Sequence, residues 1–223
     1  MGLLSSRIGR KTLVAATGVI MFFFVLAHLF GALSVFLGPD VINSYALALQ
    51  NLGPLLVIFR AVMALVLATH VTLAITVTLT NWKAKPDRYA VRRISPAVFA
   101  GETMFWSGLL LLAFIACHIL HFTMHATPDV VIRADAQGRF DIFTMMRESL
   151  RLIPVSAAYM FAVAVLFLHL FHGIQSVFQS VGFTNDKTRP VFNIVGLTLS
   201  TFILLGFGAI PMLLLVGGNI FWR

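Results

Sequence analysis

Four of the seven histidines in this chain, His28, His70, His118 and His169, sit inside four different apolar segments. Imidazole nitrogen is a common ligand for transition metals. Hydrocarbon penalises ionisable rings, so they are rare in long apolar helices. A single one is commonly a hydrogen-bonder between helices, whereas one in each of four helices points to a shared ligand. The natural ligand is haem, gripped between helix pairs through axial imidazoles.

The elements that must position these rings follow from composition. Of 223 residues, 59% are hydrophobic and 11% charged, and mean hydropathy is +0.95, far beyond what a soluble domain of this length needs. The chain reads as an all-α integral membrane protein, one membrane domain over residues 1–223. Roughly 20 apolar residues cross a bilayer core. Five windows meet that length: about Leu13 to Leu37, Leu55 to Leu79, Val98 to Phe122, Ser156 to Val181 and Val191 to Val216. The first is too long for a signal peptide and has no small-residue cleavage site at its end, so it is expected to stay attached. The N-terminal MGLLSS fits a loose myristoylation pattern that five helices make unnecessary.

Basic residues set the expected orientation. Arg7, Arg10 and Lys11, then Lys83, Lys85, Arg88, Arg92 and Arg93, then Lys187 and Arg189 all fall on one side if the helices alternate. By the positive-inside rule that side is cytoplasmic, with the N-terminus inside and the C-terminus, including Arg223, outside the cytoplasmic (inner) membrane. The long third loop balances Arg133, Arg139, Arg147 and Arg151 against Asp129, Asp135, Asp141 and Glu148. The net charge of +8 then matches anionic lipid headgroups and an acidic partner, and no aromatic-basic interleaving of the nucleic-acid kind occurs. The one cysteine, Cys117, lies in the third window, which excludes a disulfide framework or a four-cysteine iron-sulfur cluster within this chain.

Depth divides the histidines. At about 1.5 Å per residue, His28 lies about three residues and His118 about eight residues past the centres of outward-running helices. His70 lies about three residues past the centre of an inward-running helix, and His169 is near the middle of another. His28 with His118 forms an outer pair, and His70 with His169 an inner pair. A bare zinc or copper site would gather its ligands at one depth instead. Thr17-Gly18 precedes His28 by the interval at which Ser107-Gly108 precedes His118, and Phe24-Val25-Leu26-Ala27-His28 parallels Phe114-Ile115-Ala116-Cys117-His118. Glycines there let a flat macrocycle or a neighbouring helix approach closely. This parallel selects His118 over His121. On the fourth helix His169 and His172 share a face, and depth slightly favours His172 as the partner of His70 without settling the choice. His121, His125 and His172 read as groups around the haems or at the interface, and the phenylalanines and methionines as packing.

The segments Gly18 to Leu37 (GVIMFFFVLAHLFGALSVFL), Ser107 to Thr123 (SGLLLLAFIACHILHFT) and His169 to Gly182 (HLFHGIQSVFQSVG), set in five helices, resemble the dihaem cytochrome b membrane anchor of succinate dehydrogenases and fumarate reductases. The resemblance spans nearly the whole chain. It implies a haem-binding bundle of the first four helices, with two haem b: one distal from the cytoplasm on His28 and His118, one proximal on His70 and His169. It therefore selects His169 over His172. It also implies electron transfer between membrane quinone, menaquinone more than ubiquinone, and an iron-sulfur subunit and flavoprotein subunit docked on the cytoplasmic side. Paired imidazoles leave no open iron position, so such haems carry electrons rather than bind substrate.

Two positions depart from the family pattern. Some members carry a membrane glutamate where this chain has Phe167, and relatives often begin the third helix with a basic residue where this chain has Glu102, which points about 160° away from His118. Polar residues available to a quinone or a haem propionate near the first outer loop are Asn43, Ser44, Tyr45, Gln50, Asn51 and Arg60. Two other readings of the same residues are a dihaem subunit of a hydrogenase, nitrate reductase or formate dehydrogenase, and a non-redox membrane protein with histidines bonded across helices.

Overall fold

A computed structural model describes residues 6–84 and 101–217. Lys85, Arg88, Arg92, Arg93 and Arg223, on which part of the orientation argument rests, lie outside the described residues, as does the start of the third window. The described chain is helical almost throughout: α1 Arg7–Leu33, α2 Pro39–Gln50, α3 Pro54–Ala84, α4 Met104–His118, α5 Ile142–Leu150, α6 Ile153–Ser180 and α7 Arg189–Gly217. A short 3-10 turn, Ser34–Leu37, extends α1, and a π turn, Ile119–Thr123, extends α4. Five spans are long and apolar enough to cross a membrane: Arg7–Leu37, Pro54–Ala84, Met104–Thr123, Ile153–Ser180 and Arg189–Val216. They coincide with the five windows of the sequence. The ends differ where hydropathy stops but hydrogen bonding continues: α1 begins at Arg7 and α3 runs through Lys83, because charged residues end an apolar window without ending a helix.

Two further helices, α2 and α5, lie in segments expected as loops. Each is short and has one apolar side. Buried Ile42 belongs to α2 and buried Phe143 and Leu150 to α5, and these meet Val35, Ile210 and Leu214 in one apolar cluster. Asp141 caps α5 by accepting the Thr144 N–H at 3.0 Å.

The chain divides into two compact units, each drawing on several helices. One takes residues 6–24, 61–84, 101–109 and 166–201; the other takes Val25–Arg60, Leu110–Val165 and residues 202–217. In the first unit, α6 and α7 approach closely: a Cβ added at Gly196 would stand 3.1 Å from the Phe171 carbonyl oxygen. Its described basic residues include Arg7, Arg10, Lys11, Lys83, Lys187 and Arg189. In the second unit, fully buried Leu29 fills the notch at Gly206, where a Cβ would meet both of its δ carbons at 2.9 Å. Ion pairs in this unit join Arg139 with Asp40 and Asp135, Arg133 with Asp141, and Arg147 and Arg151 with Glu148.

Outward faces of the spanning helices are apolar. Val57, Ile58, Leu65, Phe161, Ile194 and Leu205 are all exposed, as lipid-facing residues are. No residue of α3 is buried, although this helix carries His70.

Candidate functional site

In the first unit the histidines come from α3 and α6, and the groups that hold them come from α1 and α4. Thr17 on α1 is buried, and its hydroxyl lies 2.7 Å from the Leu13 carbonyl and 3.1 Å from the Val14 carbonyl. A hydroxyl has one proton, and here the helix's own backbone takes it. A lone pair of Thr17 Oγ1 is left facing His70 Nδ1 at 3.1 Å. The same Nδ1 lies 3.1 Å from the Val14 carbonyl oxygen, which can only accept. Nδ1 therefore carries the ring's hydrogen, and Nε2 keeps its lone pair. The next residue makes room for the ring: a Cβ at Gly18 would stand 3.3 Å from His70 Cε1.

The same device recurs between α4 and α6. The Ser107 hydroxyl lies 3.0 Å from the Met104 carbonyl and 3.1 Å from His169 Nδ1; with its proton on the carbonyl, as for Thr17, it accepts from that nitrogen. A Cβ at Gly108 would stand 3.3 Å from His169 Cε1. The parallel between Thr17-Gly18 and Ser107-Gly108 thus has a structural counterpart, but not with the histidine on the same helix. Each hydroxyl-glycine pair cradles a ring from another helix, His70 in one case and His169 in the other. The His172 ring lies against Gly101, where a Cβ would fall 2.8 Å from Cε1.

In the second unit, His28 on α1 and His118 at the end of α4 face one another, with ring centres 5.8 Å apart and planes at 77°. Phe207 lies beside His28, and Phe114, Phe122 and Tyr159 surround His118. Here the support is a chain of side chains. His118 Nδ1 lies 3.1 Å from the Tyr159 hydroxyl, which lies 3.0 Å from His121 Nδ1, and His121 Nε2 lies 2.8 Å from Asp129 Oδ2. A carboxylate only accepts, so His121 Nε2 carries a hydrogen, and in the one-proton form of the ring Nδ1 accepts from Tyr159. With its one proton so used, Tyr159 accepts from His118 Nδ1. His118 is thereby left in the same form as His70 and His169, with the Nε2 lone pair available.

The π turn builds this arrangement. Met124 N–H reaches back to the Ile119 carbonyl at 2.8 Å, and the buried His121 ring stacks on Phe122 with centres 4.0 Å apart. Such turns recur at functional sites because one extra residue re-aims the side chains that follow. Burial pushes the Asp129 carboxyl up, and the hydrogen bonds around it, that of His121 included, more than offset this and hold it below the usual carboxylate range.

Other predicted residues fall elsewhere. His125 has left-handed backbone, φ 52°, and stacks on Phe140. Glu102 and Arg60 are exposed. Asn43 is buried, and its amide is fully engaged: it donates to Asp135 and Asp141, each at 3.2 Å, and accepts the Phe143 N–H at 3.1 Å. Ser44 accepts from Arg139. These bonds join Asn43 and Ser44, on α2, to the loop before α5. Phe167 stacks parallel to Phe171. Tyr159 and Asp129 were not singled out by sequence reasoning. The available signal was a tyrosine in an apolar helix, whose hydroxyl needs a partner when buried.

His28 and His118 are two imidazoles within reach of one another, which is fewer donors than a free metal ion takes. Among the described residues, no group of three or more His, Cys, Asp or Glu side chains is placed to hold an ion. Comparison with protein-family models, curated proteins and solved structures finds no match to this chain.

Proposed function

We propose that this chain is a membrane-bound cytochrome b that holds two haems, one between His28 and His118 and one between His70 and His169. The observation that carries this reading is the shared state of three rings. His70, His118 and His169 each have Nδ1 occupied by an oxygen from another helix, which leaves Nε2 as the donor in every case. Axial histidines are held in this manner, the second nitrogen fixing tautomer and orientation.

The residues fit the group in spacing as well. The rings of His28 and His118, with centres 5.8 Å apart, are near enough that they could hold one metal between them. In the first unit, glycine at positions 18 and 108 keeps the backbone clear of the ring edges. Bound haem supplies reversible one-electron exchange. The chain's own part is to present lone pairs, to fix the rings with Thr17, Ser107 and Tyr159, and to exclude water with phenylalanine and aliphatic side chains. Held by two protein nitrogens, the group would exchange electrons and would not bind a substrate.

The resemblance carries the reading further, to the anchor subunit of a succinate:quinone oxidoreductase, with electrons moving between quinone and an iron-sulfur subunit whose partner flavoprotein interconverts succinate and fumarate. Basic residues at the starts of α1 and α7 and the end of α3 suit a cytoplasmic docking face.

The test is a reduced-minus-oxidised spectrum of the purified complex with succinate as donor, with haem counted per chain. Two low-spin haems reduced by succinate are expected. His28→Ala or His118→Ala should remove one of them, and His70→Ala or His169→Ala the other. A chain without a Soret band refutes the haem reading and leaves the histidines as interhelical hydrogen-bonders. Two haems that succinate does not reduce in the assembled complex place the chain in another quinone-linked system.

A further inference from the structure

Three of the four rings share a tautomer, but they are not held by the same chemistry. His70 and His169 donate Nδ1–H to neutral oxygens, a threonine and a carbonyl in one case and a serine in the other. His118 donates to Tyr159, whose own proton goes to His121, which in turn donates to a carboxylate. Asp129 stands outside the spanning helices, in the segment between the π turn and α5, and Ser149 at the end of α5 donates to its backbone carbonyl at 3.3 Å. His121 is 6% exposed, which keeps water from competing for its two nitrogens. Hydrogen bonds in such a chain polarise one another, and the negative end at Asp129 pulls each proton toward it.

We propose that Asp129, His121 and Tyr159 are positioning residues for His118: through them the loop carboxylate strengthens His118 as a ligand and sets the potential of the haem it holds. The inference rests on the haem reading above. A ring whose Nδ1–H is drawn toward a negative group is a stronger base at Nε2. A stronger base favours ferric over ferrous iron, so the intact chain lowers the potential of that haem and its loss raises it.

The experiment is a redox titration of both haems in the purified full chain, comparing wild type with Tyr159→Phe, Asp129→Asn and Asp129→Glu. Charge-assisted hydrogen bonds are roughly twice as strong as neutral ones. Tyr159→Phe is therefore expected to shift the reduction equilibrium of one haem about tenfold toward the ferrous form, which for a one-electron couple is about 59 mV. The other haem serves as the internal control and stays where it was. Asp129→Asn should move the same haem in the same direction by a smaller amount, and Asp129→Glu should restore it. If Tyr159→Phe fails to retain that haem, the two Asp129 variants decide, since they leave Tyr159 and His118 in place. Full haem content with wild-type potentials in Asp129→Asn overturns the inference while leaving the haem reading standing. A wild-type chain with no Soret band overturns both.

Discussion

Replacing Ser107 by alanine removes one oxygen and little volume, and its expected effect can be worked against a matching change at Thr17. Ser107 is 5% exposed, and its hydroxyl is, among the described residues, the hydrogen-bond partner of His169 Nδ1. Without it the buried Nδ1–H has no acceptor, which costs about 1–3 kcal/mol. At 1.36 kcal/mol per tenfold, haem affinity at the His70–His169 site should fall about 5- to 150-fold, within the range of about 10- to 100-fold seen when a partner of a ligating histidine is removed. Thr17→Val removes the corresponding oxygen from His70, but there the Val14 carbonyl remains at 3.1 Å and keeps the hydrogen bonded. That variant should lose about 0.5–1 kcal/mol, or roughly two- to fivefold. The assay is titration of haem into the haem-depleted chain, followed at the Soret band, with the second site as reference. Equal losses in the two variants, or none in either, would refute the argument from hydrogen-bond partners.

Bulk at the glycines gives a steric version of the same test. Gly108→Ala must displace the His169 ring by a few tenths of an ångström, and Gly108→Val by more, so haem per chain should fall in that order while the His28–His118 site stays filled. Gly31→Ala sets a Cβ 2.6 Å from the Tyr45 hydroxyl, but Tyr45 is 42% exposed and its ring end can swing aside, so the melting temperature should change little. Asn43→Ala leaves Asp135, Asp141 and the Phe143 N–H without their shared partner and should cost about 2 kcal/mol, visible as faster amide exchange in α2 and α5. The pH response of this region has a definite sign. Burial pushes the Asp135 carboxyl up, but hydrogen bonds from Arg139, Gln137 and Asn43 outweigh it and bring it down to about 2, and Asp141 is lowered as well. A depressed folded-state value stabilises the fold above the unfolded value near 3.9 and loses that stabilisation as pH falls through the folded value. Proteolysis of the segment before α5 should therefore accelerate between about pH 4 and pH 2 and not between pH 8 and pH 5.

The five spans were legible because they rest on local quantities. Length and apolarity are properties of a window, and a helix is the form in which an isolated segment satisfies its own backbone in hydrocarbon. The histidines were legible as candidates for the same reason, each being an exception within its window. The short helices α2 and α5 were not, because their apolar faces hold only a few residues and gain their meaning from Val35, Ile210 and Leu214, far away in sequence. The parallel between Thr17-Gly18 and Ser107-Gly108 was visible, but which rings it serves was not. Helical periodicity says which residues share a face, and it does not say which neighbouring helix that face will meet.

The sequence by itself therefore determined the membrane character, the spans and the four histidines set apart in them. Tertiary structure decided what each ring touches. The Thr17 hydroxyl serves His70, the Ser107 hydroxyl serves His169, and a tyrosine, a second histidine and a loop aspartate serve His118. The reason is the range of the forces involved: transfer of apolar surface out of water acts on any segment of sufficient length, whereas a hydrogen bond near 3 Å exists only once packing has brought two distant segments together.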